Sequence, residues 1–183
     1  MQNEKYLGRY RNGTIRLQSW NYGCNGYYFI TICTKYRQDY FGEVINGKMV
    51  LNKIGKIVNK YWVEIPNHFK NVKLDEFIVM PDHVHGILFV NNNPRGCAIN
   101  RAPTGKSTNI RIGGITGNKN PMLYQNISTM IRWYKGRCTF EINEKYPQLN
   151  FVWQSRFWDR VIRNYYELER IRWYIKNNPV VWG

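Results

Sequence analysis

Acidic side chains are scarce in this chain: 12 Asp and Glu stand against 27 Lys and Arg, leaving a formal net charge of +15. Such a deficit argues against a basic partner and for a polyanion, either nucleic acid or an anionic membrane surface. Long apolar runs are missing too, for no uninterrupted stretch approaches the roughly 20 residues that a spanning helix needs. The polar, basic start MQNEKYLGRYRNG lacks the apolar core of a signal peptide. Nucleic acid is therefore the expected partner, with no membrane. Cys24, Cys33, Cys97 and Cys138 include no CxxC spacing, so neither a zinc site nor a disulfide framework is indicated and a reducing cytoplasm is the expected compartment. A Walker loop is absent as well. Thr104-Gly105-Lys106-Ser107 imitates the end of one, but Asn100 stands where its first glycine belongs, and no apolar strand leads in.

What is present suits one folded domain: 43% hydrophobic and 16% aromatic residues over 183 positions are enough for a core. Residues 1–26 are basic and aperiodic, an arm ahead of a domain spanning 27–183. Tyr27 to Thr34, dense in β-branched and aromatic residues, predicts a buried strand. Phe41 to Ile45 and Lys48 to Leu51 flank Asn46-Gly47, the dipeptide best suited to a two-residue hairpin turn. Ile54, Ile57, Val58, Tyr61, Trp62 and Ile65 follow three-four spacing, a helix expected to end at Pro66. A strand pair covers Phe77 to Val90. The span 91–120 carries Arg95, Arg101, Lys106, Arg111 and Lys119 with no acidic residue, either a nucleic-acid contact or a solvated loop. Helical spacing returns over Met122 to Glu144, with Leu123, Ile127, Met130, Ile131, Tyr134 and Phe140 inward and Arg132, Lys135 and Arg137 outward. Phe151 to Ile162 reads as a strand or bent strand pair. A last helix starts near Asn164, an N-cap residue, and stops at Asn178 before Pro179. The order β-α-β-β-α-β plus a helix is the α+β, ferredoxin-like arrangement: an antiparallel sheet with helices on one face and a further C-terminal helix.

Within FIVMPDHVHGILFV, His83 and His85 are separated by Val84. Strand side chains alternate with period two, so the imidazoles share a face, with Val84 and Ile87 expected on the other. The pair is either a strand edge with two polar side chains or two ligands of a divalent metal awaiting a third. On the last helix Tyr174 and Asn178 are four apart and share a face beside the apolar stripe of Leu168, Ile171 and Ile175. A tyrosine hydroxyl can be a nucleophile and an asparagine oxygen a metal ligand. A helical tyrosine and an Asn before Pro are equally ordinary structural features.

MPDHVHGIL resembles the histidine-hydrophobe-histidine signature of the HUH endonucleases, and WQSRFWDRVIRN with YIKNNPVVWG is similar to the single-tyrosine transposases, above all the REP-associated branch. The resemblance is most specific over residues 77–90 and 151–183. It implies His83, His85 and Asn178 as ligands of Mg²⁺ or Mn²⁺ and Tyr174 as the nucleophile; where Asn178 stands, the insertion-sequence relatives carry glutamine. It further implies cleavage and rejoining of single-stranded, hairpin-forming DNA through a 5′-phosphotyrosine, carried out by a monomer or a homodimer. No general base is evident beside Tyr174, and Arg170, one turn before it, is a solvated residue or one that steadies developing charge. With Arg132 and Lys135, Arg170 joins the basic loop residues as candidate DNA contacts. The alternative is an inactive domain of this fold that binds single strands by stacking and phosphate contacts. A histidine-triad hydrolase is disfavoured, because that pattern needs histidine at the position of Ile87.

Overall fold

The computed structural model describes residues 5–6, 9–10, 25–91 and 126–182. Most of the expected N-terminal arm and the basic span with Arg95, Arg101, Lys106, Arg111 and Lys119 lie outside them. A short antiparallel pair, β1 (Lys5–Tyr6) and β2 (Arg9–Tyr10), precedes the domain. The domain then runs through β3 (Gly26–Cys33), the hairpin of β4 (Gly42–Ile45) and β5 (Lys48–Leu51), and α1 (Lys53–His68). It continues with β6 (Val72–Val79), β7 (His83–Val90), α2 (Ile127–Lys145), β8 (Trp158–Ile162) and α3 (Tyr165–Asn177). The main sheet has the order β6-β7-β3-β8 with every neighbouring pair antiparallel. This is the ferredoxin-like order, since β7 sits between β3 and β6, the two strands joined through α1.

One sheet face carries the main core, in which Ile57, Tyr61, Trp62 and Ile65 of α1 and Met130, Tyr134 and Ile142 of α2 meet Tyr28, Ile30, Val84 and Leu88. On the opposite face Leu168, Ile171 and Ile175 of α3 cover Phe29, Ile87 and Ile162. Ile87 thus shares the histidine face and does not oppose it, as period two requires of residues 83, 85 and 87. Local chemistry sets the element ends. Asn52 caps α1 by accepting from the Ile54 and Gly55 amides, and Asn164 caps α3 by accepting from Glu167. Asn46 and Gly47 adopt positive φ of 50° and 70° in the β4–β5 turn, which their residue types tolerate.

Other sequence expectations shift as well: the strand pair expected from Phe77 begins at Val72. α1 passes through Pro66 to His68, because Pro66 stands in the last turn and the Phe69 amide closes that turn on the Ile65 carbonyl. Phe140 is 62% exposed, being out of phase with Tyr134, Cys138 and Ile142, which hold the inner positions of α2. Phe151 to Ile162 holds one five-residue strand, Trp158–Ile162, preceded by a segment that bridges Trp153 to Thr34 and donates the Gln154 amide to the Cys33 carbonyl at the end of β3.

Gly86 fits the close approach of α1 to β7. A Cβ there would lie 2.2 Å from the Trp62 ring, whereas one at Gly136 in α2 would meet nothing within 4 Å. Gly86→Ala is expected to lower the unfolding free energy by about 1–3 kcal/mol through overpacking. Gly136→Ala should raise it by about 1 kcal/mol through helix propensity. Urea titration of both variants measures the contrast.

Candidate active site

β7 is an interior strand, so the histidines do not mark a sheet edge: His83 is 3% and His85 7% exposed. Their rings lie side by side, with centroids 4.4 Å apart. The register places His83 opposite Cys33 and His85 opposite Thr31 on β3. The tight turn 80–82 that feeds β7 is pinned from several sides. Met80 donates its amide to the His83 carbonyl, Thr34 to that of Asp82, and Tyr40 and Phe41 both to that of Pro81. This turn turns Asp82 toward the neighbouring imidazole, where its Oδ1 accepts from His83 Nδ1 at 2.5 Å while Oδ2 pairs with Arg37 Nε at 2.6 Å. With its proton on Nδ1, His83 keeps the lone pair of Nε2 free for an electrophile.

His85 is held from both ends. Its Nδ1 lies 2.8 Å from Thr31 Oγ1 and its Nε2 3.2 Å from Tyr174 Oη. In the tautomer with the proton on Nδ1, the threonine oxygen accepts and Nε2 faces the phenol with its lone pair. The phenol therefore donates a hydrogen bond to Nε2, a contact that the sequence did not reveal. Burial lowers the pKa of both imidazoles: that of His83 is depressed against the opposing pull of Asp82, and that of His85 falls to about 3, with the neighbouring His83 and Arg37 adding to the effect. Both rings are neutral near pH 7, the state in which imidazole ligates metal. The unfolded chain takes up a proton on this side chain near 6.5 and the folded one only near 3, so stability falls as pH drops through that window. His85→Gln should flatten the acid side of a stability–pH profile between those values, measured by urea unfolding.

α3 delivers the rest. Its apolar stripe seats on the sheet, leaving Tyr174 at the edge, 41% exposed, with its ring near those of His85 and Phe29. Just past the helix the chain makes a 3₁₀ turn over Asn178–Val181, and the Trp182 ring lies 5.4 Å from that of His83. Tyr174 and Trp182 thus touch the two histidines from either side of Asn178. The Asn178 residue is 5% exposed and its Oδ1 has no hydrogen-bond partner. An orphaned buried oxygen is costly unless something else binds it. Among the described residues no three His, Cys, Asp or Glu side chains gather at metal-ligating distance, so a third donor taken from those residues is of another type. Two imidazole lone pairs and an unsatisfied amide oxygen fit a divalent cation in chemical type.

His85 is in contact with both His83 and Tyr174. Of the expected DNA contacts that are described, Arg170 is exposed one turn before Tyr174, while Arg132 and Lys135 ride on α2, packed on the other sheet face. The Lys135 ammonium donates to the Gln154 carbonyl. Asp82, Thr31 and Arg37 were missed by sequence reasoning. A residue adjacent to His83 on a regular strand would point away from it, and only the turn at 80–82 lets Asp82 reach the ring.

No family model matches the chain. A protein of Haemophilus influenzae described as uncharacterized is 34% identical over 175 residues, covering 96% of this chain and 92% of that one. Among solved structures, a REP-associated tyrosine transposase bound to a REP hairpin aligns with a TM-score of 0.55 at 19% identity, covering 91% of this chain and 73% of that one. At such identity the likeness is one of fold. No helix among the described residues is long and apolar enough to cross a membrane.

Proposed function

The chain belongs to one family with the Haemophilus influenzae protein and has a tyrosine-transposase-like fold, and from that premise we propose that it cleaves and rejoins single-stranded DNA through a 5′-phosphotyrosine on Tyr174. The observation that carries this reading is Tyr174 Oη at 3.2 Å from Nε2 of a buried, neutral histidine that has a second imidazole beside it. In the reaction the phenolic oxygen attacks the scissile phosphorus in line, an O–P bond forms and the bond to the 3′ oxygen breaks. The phenolic proton leaves and the departing 3′ oxygen gains one. Because the new ester keeps the phosphodiester energy, a 3′-hydroxyl can reverse the step without a nucleotide cofactor.

His83 Nε2, His85 Nε2 and Asn178 Oδ1 would hold Mg²⁺ or Mn²⁺. Bound there, the ion would polarise the phosphate and neutralise charge in the transition state. Asp82, an acceptor only, fixes the His83 tautomer that this requires, and Thr31 accepts from His85 Nδ1 in the matching tautomer of that ring. With His85 Nε2 so engaged, the phenolic proton departs to solvent, to which the half-exposed Tyr174 is open. The REP hairpin bound by the structural neighbour supports a hairpin-bearing single strand as substrate, and the charge of +15 supports phosphate contacts as the source of affinity.

Incubation with Mn²⁺ and labelled hairpin-bearing single-stranded DNA should give an adduct that survives denaturing electrophoresis. Tight binding with no adduct would leave the chain a single-strand-binding domain of the same fold. Affinity should fall steeply with salt: about five phosphate contacts give a slope near −3.5 in log K against log salt. A salt titration measures the slope, and salt-insensitive binding would refute the electrostatic component.

A further inference from the structure

α3 is held to the sheet by two kinds of contact with different directional character. Leu168, Ile171 and Ile175 provide apolar burial against Phe29, Ile87 and Ile162, which favours contact but tolerates rotation of the helix about its own axis. The second kind is ionic. Arg172 is bidentate to Asp75, with Nε to Oδ1 at 2.8 Å and Nη2 to Oδ2 at 2.5 Å, and its third nitrogen reaches Glu169 at 2.6 Å. One turn later Lys176 pairs with Glu76 at 2.9 Å. Neighbouring strand residues normally face opposite sides, yet Asp75 and Glu76 both engage α3. The cause is a β-bulge: the register passes from Leu74↔Leu88 to Phe77↔Gly86, so these two residues together stand opposite Ile87. Leu74 and Phe77 pack on the α1 face, while both intervening carboxylates turn to the α3 face. Arg172 holds the Asp75 carboxyl below its usual range, as expected of a fully ionised pair.

At 3.6 residues per turn, Arg172 and Tyr174 lie roughly 160° apart around the helix, one on each flank of the apolar stripe. A fork-to-carboxylate pair has fixed geometry and therefore defines the roll that apolar packing leaves loose. The phenolic oxygen sits on the order of 8 Å from the helix axis, so a roll of about 10° would carry it about 1.4 Å. Misplacement by about 1 Å can cost a reaction about 10²-fold.

We propose that the bulged Asp75–Glu76 pair and its partners Arg172 and Lys176 form a clamp that sets the roll of α3 and so holds Tyr174 Oη at the histidine pair, with Asp75 and Arg172 as positioning residues. This rests on the reading of Tyr174 as nucleophile. The test places 3-fluorotyrosine at position 174 and follows its ¹⁹F resonance, which should move on His85→Ala in the otherwise unchanged protein. In Asp75→Asn, and in Arg172→Lys, which keeps the charge but loses the fork, the resonance should already be displaced and should respond little to His85→Ala. Melting temperature and single-strand affinity should stay near those of the parent. In single-turnover adduct formation the rate should fall 10- to 100-fold at full amplitude, whereas simple loss of folded protein would cut the amplitude and leave the rate. A parental resonance in both variants, still responsive to His85→Ala, overturns the clamp whatever the activity. A displaced resonance in a protein whose parent forms no adduct would retain the clamp and remove the nucleophile.

Discussion

Tyr174→Phe is expected to eliminate the covalent DNA adduct completely while leaving single-strand affinity and the melting temperature near those of the parent. The substitution removes one oxygen from a side chain that is 41% exposed, so it takes little from the core. That oxygen's one described hydrogen bond runs to His85 Nε2, and His85 retains Thr31 at its other nitrogen. Tyr165 and Tyr166 are the rival nucleophiles on the same helix, 68% and 86% exposed in its first turn. At about 1.5 Å of rise per residue, Tyr166 lies about 12 Å along the axis from Tyr174, beyond the reach of one bound phosphate. Tyr165→Phe and Tyr166→Phe should therefore both keep the adduct. Mass spectrometry of the trapped peptide reads the site directly, and DNA on any residue other than Tyr174 would sink the mechanism while leaving the fold intact.

The second large effect is expected at the histidines. A His83→Ala, His85→Ala double variant should lose adduct formation to below detection and lose Mn²⁺ binding by calorimetry, yet keep most of its DNA affinity, because affinity comes from the basic surface. Asp82→Asn should fall between. It leaves both imidazoles in place but removes the negative charge that fixes His83 Nδ1, and such outer partners typically contribute about 10–100-fold in metal affinity or activity. Both imidazoles are buried, so emptying two of them should also cost a few kcal/mol of stability, on the order of 1–3 each. Circular dichroism at the assay temperature separates that loss from the chemistry. Full cleavage by the double variant would refute the site, as would Mn²⁺ affinity equal to that of the parent.

Much of this architecture is legible in the sequence for a simple reason: local periodicity records which face of an element is buried. The shared face of His83 and His85, the three-four spacing of α1 and α3, the Asn-Gly turn and the Asn164 cap each depend on residues within a turn or two of one another, and each appears in the structure. Phe140 and the start of the closing strand were misplaced where neighbouring aromatic residues offered more than one phase. Candidate ligands could be selected on residue type, because few side chains offer neutral nitrogen or amide oxygen to a cation. Their partners could not be. Asp82 reaches His83 through the pinned turn at 80–82, and Thr31 reaches His85 through the β3–β7 register, 54 residues away in the chain.

By itself, then, the sequence determined the order of the main elements, the shared face of His83 and His85 and the residue types available to a site, since these follow from patterning over a few residues. Only the tertiary structure decided which of those residues meet. Tyr174 lies 89 residues from His85 and is brought to 3.2 Å by the packing of α3 on the sheet face opposite α1 and α2. The bulge that turns Asp75 and Glu76 together toward Arg172 and Lys176 is likewise invisible in a period-two pattern. Strand register and helix roll arise from contacts between distant segments, and local periodicity carries no information about either.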